Sequence, residues 1–349
     1  MGCVEGVDAA MSEPSEPNGA RADVTGVLLD EATIDQGDLD LSVLDRVVGQ
    51  WRRYSHSQPT EVLERLGHAQ IAVTNKVVLD RAVLEQARDL KLICIAATGT
   101  NNVDLRAARE RGVAVANVVR YATPSVVGHV FALMLALTTG LPDYQRAIAS
   151  GAWQQHDRFC LMDYPIRELA GRTLGIVGFG ELGQAVARVA EAFGMQILIA
   201  QRPGGPPAMG RLPLEQLLRQ VDVLSLHCPL TDSTRGLIGA EQLGRMRPDA
   251  LLINTARGGI VDEQALADAL RARTLGGAGV DVLSTEPPRQ GNPLLAGDIP
   301  NLIVTPHIAW ASREARQRVV EEIAANIAAF LAGRERNRVE GAGRNPLIR

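Results

Sequence analysis

Three side chains of this sequence could together reduce a carbonyl: Arg257, Glu286 and His307. Each follows an apolar run of strand type. Arg257 comes after Leu251-Leu252-Ile253-Asn254-Thr255-Ala256, Glu286 after Val280-Asp281-Val282-Leu283-Ser284-Thr285, and His307 after Ile303-Val304-Thr305-Pro306. A planar guanidinium can hold the carboxylate of a 2-keto acid and polarise the adjoining carbonyl. Hydride delivery to that carbonyl leaves an alkoxide that needs a proton, and an imidazole with a reference pKa of about 6.5 suits that donation near neutrality. A carboxylate beside the imidazole favours imidazolium and orients the ring. Taken singly, such an arginine serves surface ion pairs, such a histidine packs structurally, and a glutamate before Pro287-Pro288 sits in a loop. What distinguishes them is their common place beyond strand ends, where open α/β sheets bind ligands.

The supplier of hydride is written in the stretch Thr173-Leu174-Gly175-Ile176-Val177-Gly178-Phe179-Gly180-Glu181-Leu182-Gly183. A β-leaning apolar run ends in three spaced glycines, and a helical pattern follows from Glu181 to Phe193. Gly178 permits the tight turn, Gly180 lets backbone approach a pyrophosphate, and Gly183 lets the helix pack close on the strand. Strand and helix lie where dinucleotide binding requires them.

The elements that must position these residues alternate between strand and helix, which implies parallel sheets. In the first part, strands are expected at Val24–Leu29, Ile71–Thr74, Leu92–Ala97 and Val113–Val118. Helices are expected at Leu41–Val48, Asp80–Leu90 and Leu105–Arg111. A long apolar helix follows Pro124 and ends near Gly140, and Ser150–Asp163 reads as a connecting loop. In the second part, strands recur at Gln196–Ala200, Val221–Leu226, Ala250–Asn254, Ala278–Val282 and Leu302–Val304. Helices lie at Pro213–Arg219, Ala240–Met246 and Asp262–Arg271. A last helix starts from an N-cap at Ser312 and ends at Gly333. The expected fold is α/β, with two doubly wound parallel-sheet domains: a Rossmann cofactor domain inserted into a smaller flavodoxin-like domain. By residue number, 1–23 is a disordered segment, 24–118 with 305–333 the substrate domain, 119–304 the dinucleotide-binding domain, and 334–349 a loose tail. The cleft between the lobes is the expected place for a substrate.

Composition narrows the rest. The chain has 349 residues, 46% hydrophobic and 22% charged, with a net charge of −4. That gives no argument for nucleic acid or an anionic membrane surface. Cys3, Cys94, Cys160 and Cys228 show no paired spacing, and no His/Cys/Asp cluster has metal-ligand spacing. With no basic leader or apolar signal visible, the reading is a cytoplasmic protein. Val126–Leu137 is too short to span a bilayer, which takes about 20 residues. His129 within it reads as structural.

At this point the chain resembles the D-isomer-specific 2-hydroxyacid dehydrogenases. LGIVGFGELG at Leu174–Gly183, HCPLTDSTRGLI at His227–Ile238, INTARGG at Ile253–Gly259, GVDVLSTEPP at Gly279–Pro288 and TPHIAW at Thr305–Trp310 carry the resemblance. VTNKVVLD and AATGTNNVDL suggest the subgroup of bacterial glycerate dehydrogenases, or hydroxypyruvate reductases. The resemblance implies NAD(P)H-dependent reduction of hydroxypyruvate or glyoxylate to D-glycerate or glycolate. It implies Arg257 as substrate anchor, Glu286 as partner of His307, and His307 as acid/base. Substrate would also meet backbone N–H groups at Thr98 and Gly99, and Lys76. Cofactor would be lined by Gly178, Gly180, Glu181, Leu182, Gly183, Gln201, Arg202, Pro203, His227, Pro229, Thr234, Thr255, Arg257, Asp281 and His307, with Asp281 near the nicotinamide carboxamide. The family's NAD-binding members carry an acidic residue after the second strand of this unit. Here that position reads Gln201-Arg202-Pro203-Gly204. With no carboxylate to repel a 2′-phosphate, and an arginine to pair with one, NADPH is favoured over NADH. Homodimers are common in the family, and the Val126–Leu137 helix is the expected interface. 3-Phosphoglycerate dehydrogenase activity, or a nucleotide-sensing scaffold like the family's corepressors, are the alternatives.

Overall fold

The computed structural model describes residues 21 to 339. They divide into two compact units, one holding the described residues up to Val119 and from Gln317 onward, the other Arg120–Arg316.

The first unit is built on five parallel strands: β1 (Arg21–Leu28), β2 (Val48–Arg53), β3 (Ile71–Thr74), β4 (Leu92–Ile95) and β5 (Ala114–Ala116). Their order, β2-β1-β3-β4-β5, is the flavodoxin-like doubly wound arrangement. Every residue of β3 and β4 is buried, as strands covered on both faces must be. The helices Arg81–Gln86 and Leu105–Glu110 start where Asp80 and Asp104 cap the amides of Val83 and Ala107. Helix Arg313–Leu331 starts where Ser312 Oγ accepts from the amide of Ala315, and Gly333 follows its end at a positive φ of 72°. Val319, Val320, Ile323 and Ile327 are buried along it.

Several expectations need correction here. The strand β1 begins at Arg21, so residues 21–23 belong to the sheet, and only residues 1–20 of the expected disordered segment lie outside the described residues. The helix expected at Leu41–Val48 is one turn, Ser42–Asp45, followed by β2. β2 is an edge strand, half exposed, with Gly49, Arg52 and Arg53 in it. It therefore lacks the apolar signature that would announce a strand. Nor is the tail loose where it is described. Arg336 pairs with Glu322, Asn117 donates its amide to Asn337, and Arg338 forms an antiparallel bridge to Ala116 beside β5. Residues 340–349 lie outside the described residues. The return junction falls at Gln317, inside the last helix, rather than at Thr305. Residues 305–309 stay with the second unit because they are bonded to Asp281.

The second unit has six parallel strands: β6 (Thr173–Val177), β7 (Gln196–Ile199), β8 (Val223–Leu226), β9 (Leu251–Asn254), β10 (Gly277–Val280) and β11 (Leu302–Val304). Their order is β11-β10-β9-β8-β6-β7. A Rossmann sheet has a further strand outside β7, and here it is reduced to a single parallel bridge between Ala200 and Leu212. Successive residues of a strand face opposite ways. Leu174, Ile176, Val223, Leu251 and Ile253 therefore join one core layer, and Val177, Leu224, Leu226 and Leu252 the other. The first layer is closed by helices Thr123–Thr139 and Glu181–Ala192.

That packing settles the place of the apolar helix. Val130 and Met134 are fully buried, and Val126, Phe131, Leu133 and Leu137 nearly so, all within the unit's own core. This face is not available as an interface. A second helix, Leu141–Ala149, was not foreseen; it follows Gly140 at a positive φ of 63° and is bent 61° from the first. Among the described residues no single helix is long and apolar enough to cross a membrane.

The tail suggests a stability test. Asn326 is buried, donates to Asn117 O at 2.9 Å and accepts from Asn337 Nδ2 at 3.0 Å. Asn326→Ala removes both bonds, leaving Asn337 Nδ2 only its bond to Glu322, and should cost about 1–3 kcal/mol in urea unfolding. A change below the measurement error would mean that the tail is not fastened through this residue.

Candidate active site

The residues singled out in the second unit gather beyond the carboxyl ends of its strands. The turn after β6 has Gly178 at φ 96°, and a Cβ there would lie 2.6 Å from the backbone of His227, just after β8. A Cβ on Gly183 would meet Gly178 O at 2.2 Å, so helix Glu181–Ala192 can approach β6 only because that side chain is absent. Gly180 behaves differently: a Cβ there would meet nothing within 4 Å. It stands at the amino end of a helix whose first turn has no side-chain cap. Open space before uncapped amides is a place for an anionic group. Two enclosed polar atoms nearby in the fold, Nδ1 of His227 and Oγ1 of Thr255, have no hydrogen-bond partner in the chain. Together these features fit a dinucleotide.

The remaining cofactor candidates are occupied to different degrees. Glu181 already accepts from Thr123 Oγ1 at 2.5 Å and faces Arg120 at 3.4 Å. Thr234 Oγ1 donates to Pro229 O and accepts from the amide of Thr231, so it shapes the loop after β8. Leu182 is half-buried. Gln201 donates its amide to Leu212 O, and Arg202, exposed, opens a turn through Pro203 closed by the amide of Gly205.

His227 is the clearest case of a shifted group. Burial pushes its pKa down from 6.5 to about 4, so the ring is neutral near pH 7. Its Nε2 lies 2.8 Å from Ser225 Oγ.

The acid/base pair is formed. Nδ1 of His307 lies 2.6 Å from Oε2 of Glu286, and Oε1 of Glu286 accepts from the amide of Leu283 at 2.7 Å. His307 has a positive φ of 55°, costly for a side chain with a Cβ. Its amide donates to Asp281 O and Thr305 O, and its carbonyl accepts from Trp310 Nε1. Arg257, exposed, donates to Ala256 O at 2.7 Å. The loop that bears it touches the loop that bears Glu286: a Cβ on Gly258 would lie 1.9 Å from Leu283 O.

Asp281 is only 1% exposed, and both of its carboxylate oxygens are engaged within the chain. Oδ1 accepts from Thr305 Oγ1 at 2.6 Å and the Ile308 amide at 2.9 Å, and Oδ2 accepts from the Ala309 amide at 2.9 Å. It builds the loop of His307. Sequence reasoning also passed over Tyr121 and Trp310. Their rings meet edge-on at 6.2 Å, and burial pushes the Tyr121 phenol up to about 12 against the pull of Arg257. Aromatic residues in loops carry no periodic signal, which is why they were not found.

Lys76, Thr98 and Gly99 belong to the first unit. Lys76 is exposed on a turn whose three successive amides, at Asn75, Lys76 and Val77, donate to the buried carboxylate of Asp30. Thr98 Oγ1 donates to Val118 O, and Thr98 O accepts from Asn117 Nδ2.

Residues 131–309 match the family described as D-isomer specific 2-hydroxyacid dehydrogenase, NAD binding domain. The chain is 47% identical to a glycerate dehydrogenase of Methylorubrum extorquens, over 88% of this chain and 98% of that protein. It is 37% identical to a hydroxypyruvate reductase of Blautia hydrogenotrophica, over 88% and 97%. A crystal structure of an NADPH-dependent glyoxylate/hydroxypyruvate reductase from Sinorhizobium meliloti, in complex with NADP and malonate, superposes with a TM-score of 0.75. It is 27% identical, and the match covers 92% of this chain and 98% of that one.

The neutral His227 carries a pH test. Between pH 6.5 and about 4 the unfolded chain takes up a proton that the folded chain refuses, so stability falls as pH falls across that window. His227→Asn should flatten this part of the urea-midpoint profile. Identical slopes in variant and wild type would show that the ring is charged in the fold.

Proposed function

Because the chain belongs to the D-isomer specific 2-hydroxyacid dehydrogenases, we propose that it reduces a small 2-keto acid, hydroxypyruvate or glyoxylate, to D-glycerate or glycolate. The observation that carries this reading is the 2.6 Å bond between His307 Nδ1 and Glu286 Oε2 beyond the ends of β10 and β11. With Nδ1 committed to the carboxylate, Nε2 is the nitrogen that remains for substrate. The dinucleotide, when bound, supplies the hydride. Gly178 and Gly183 let the turn and helix Glu181–Ala192 pack close, Gly180 leaves room for the pyrophosphate at the helix start, and His227 and Thr255 offer the cofactor their unpartnered atoms. Arg257 holds the substrate carboxylate and polarises the carbonyl. His307 gives its Nε2 proton to the oxygen as negative charge develops there, and Glu286 keeps the ring oriented.

NADPH is the proposed cofactor. No carboxylate stands at Gln201–Gly204 to repel a 2′-phosphate, and Arg202 is exposed there to pair with one. A cytoplasmic location is proposed with it: among the described residues Cys94, Cys160 and Cys228 are free. We further propose a homodimer. Leu141, Ile148, Trp153, Phe159, Met162 and Ile166 are all exposed within one short stretch, Phe159 at 90%. Such an apolar concentration suits burial against a second copy.

The test is a steady-state panel of hydroxypyruvate, glyoxylate and pyruvate with NADPH and NADH. Arg257→Ala should lower kcat/KM about a thousandfold, and His307→Ala should lower kcat about a hundredfold or more, with KM moving less. Near-normal turnover in both variants would sink the mechanism, and a large NADH preference would sink the reading of Arg202. Light scattering should give twice the chain mass, and Phe159→Asp should halve it; a monomeric wild type would remove the dimer.

A further inference from the structure

One titratable side chain outside the mechanism is wired into the loop of His307. His129 lies midway along helix Thr123–Thr139, and its side chain is 17% exposed. Its Nε2 is 2.9 Å from Thr305 Oγ1 and 3.6 Å from Asp281 Oδ1. Thr305 Oγ1 lies 2.6 Å from Asp281 Oδ1 and donates to it. A hydroxyl has a single hydrogen, so toward His129 this one can only accept. The hydrogen between the two must then reside on the imidazole, which fixes the His129 tautomer as Nε2–H.

We propose that His129 is a positioning residue for the acid/base histidine: its Nε2–H holds the Thr305 hydroxyl on Asp281, and so fixes the turn from which His307 projects. The inference rests on the catalytic reading of His307 given above. Thr305 matters to that turn twice. Its side chain fastens to Asp281, and its carbonyl shares the His307 amide with Asp281 O at 3.0 Å and 2.8 Å. The His307 backbone has φ 55° and stays there only while its surroundings over-determine it. An apolar residue at position 129 would leave the Thr305 oxygen one donor short and the turn freer to relax. A ring displaced by a fraction of an ångström loses turnover, while a carboxylate anchor on another loop still binds substrate.

The experiment compares His129→Phe, which keeps an apolar ring, with His129→Gln, which keeps an N–H donor. The Phe variant should lose about tenfold in kcat with KM for hydroxypyruvate changed less than about twofold, and the Gln variant should recover most of the loss. In a Thr305→Val background, His129→Phe should cost little more, since the path is already cut. Imidazole nitrogen–proton NMR spectra of the protein without substrate give a readout independent of turnover. They should show His129 protonated at Nε2, and His307 resonances that move in the Phe variant and stay in the Gln variant. A packing role would instead rank Phe at or above Gln, and that ranking overturns the proposal. So do fully additive losses with Thr305→Val, or a His129 protonated at Nδ1. A wild type that turns over no keto acid defeats the functional reading, while the spectra still decide whether His129 sets the His307 ring.

Discussion

A buried carboxylate at the end of β10 holds the loop of His307 in place. Asp281 is withdrawn from water, and a lone buried charge is costly. The cost is offset by one hydroxyl and two amides, all from the residues that follow β11, the neighbouring strand. The requirement that the charge be fully paired thus dictates the path of residues 305–309 and places His307 at a backbone angle it would not choose. Ser125, at the start of the apolar helix, adds a second fastening: its hydroxyl donates to Ala309 O and accepts from the amide of Ser312.

The first unit uses the same device. Asp30, 2% exposed, lies just past β1, and its carboxylate takes the amides of Asn75, Lys76 and Val77, which follow the adjacent strand β3. In each unit, then, a buried aspartate at one strand end shapes the turn at the next strand end and sets out a charged or titratable side chain, Lys76 in one and His307 in the other. Parallel sheets favour this arrangement because neighbouring strands finish side by side, with their loops within reach. The loops can therefore be irregular yet fixed, which is what groups held for chemistry require.

Much of this was legible in the sequence where a physical rule ties residue type to geometry. The glycines at 178 and 183 could be read because each position forbids a Cβ, and Gly180 because it opens space at a helix start. Buried strands could be read from unbroken apolar runs, and helix starts from Asp80, Asp104 and Ser312. Legibility failed where stability comes from partners distant in sequence. β2 is half solvent and carries arginines; it is held by pairing with β1 and by Arg52 reaching Leu66 O. The segment 334–339 looks like a polar tail, yet Asn326 and Glu322 fasten it through side-chain bonds that no periodicity announces. The bonds of Asp281 to Thr305 and residues 308–309 cannot be inferred from an aspartate among valines. The surroundings of His129 are hidden for a similar reason: its contacts are with Thr305 and Asp281, far along the chain.

The cofactor end of the sheet follows from the reduction of its outer strand. Beyond β7 a full strand would fix the backbone after Ile199 through several ladder bonds. Here the amide of Gln201 and the amide of Leu212 form one bridge, and the chain between them is a mostly exposed loop containing Arg202, Pro203 and Gly204. Gly204 takes a positive φ of 68°, and a Cβ on it would sit 3.4 Å from Ser233 Cβ, so this turn abuts the loop after β8. Charge selection at such a place is set by which side chains the turn presents rather than by a rigid ladder. The turn presents the exposed side chain of Arg202, while the hydroxyl of Ser233 lies 3.0 Å from that of Thr231. The same sheet that holds the His307 loop by a buried negative charge at β10 therefore ends, at its other edge, in an exposed turn whose residues Gln201, Arg202, Pro203 and Gly204 include no carboxylate.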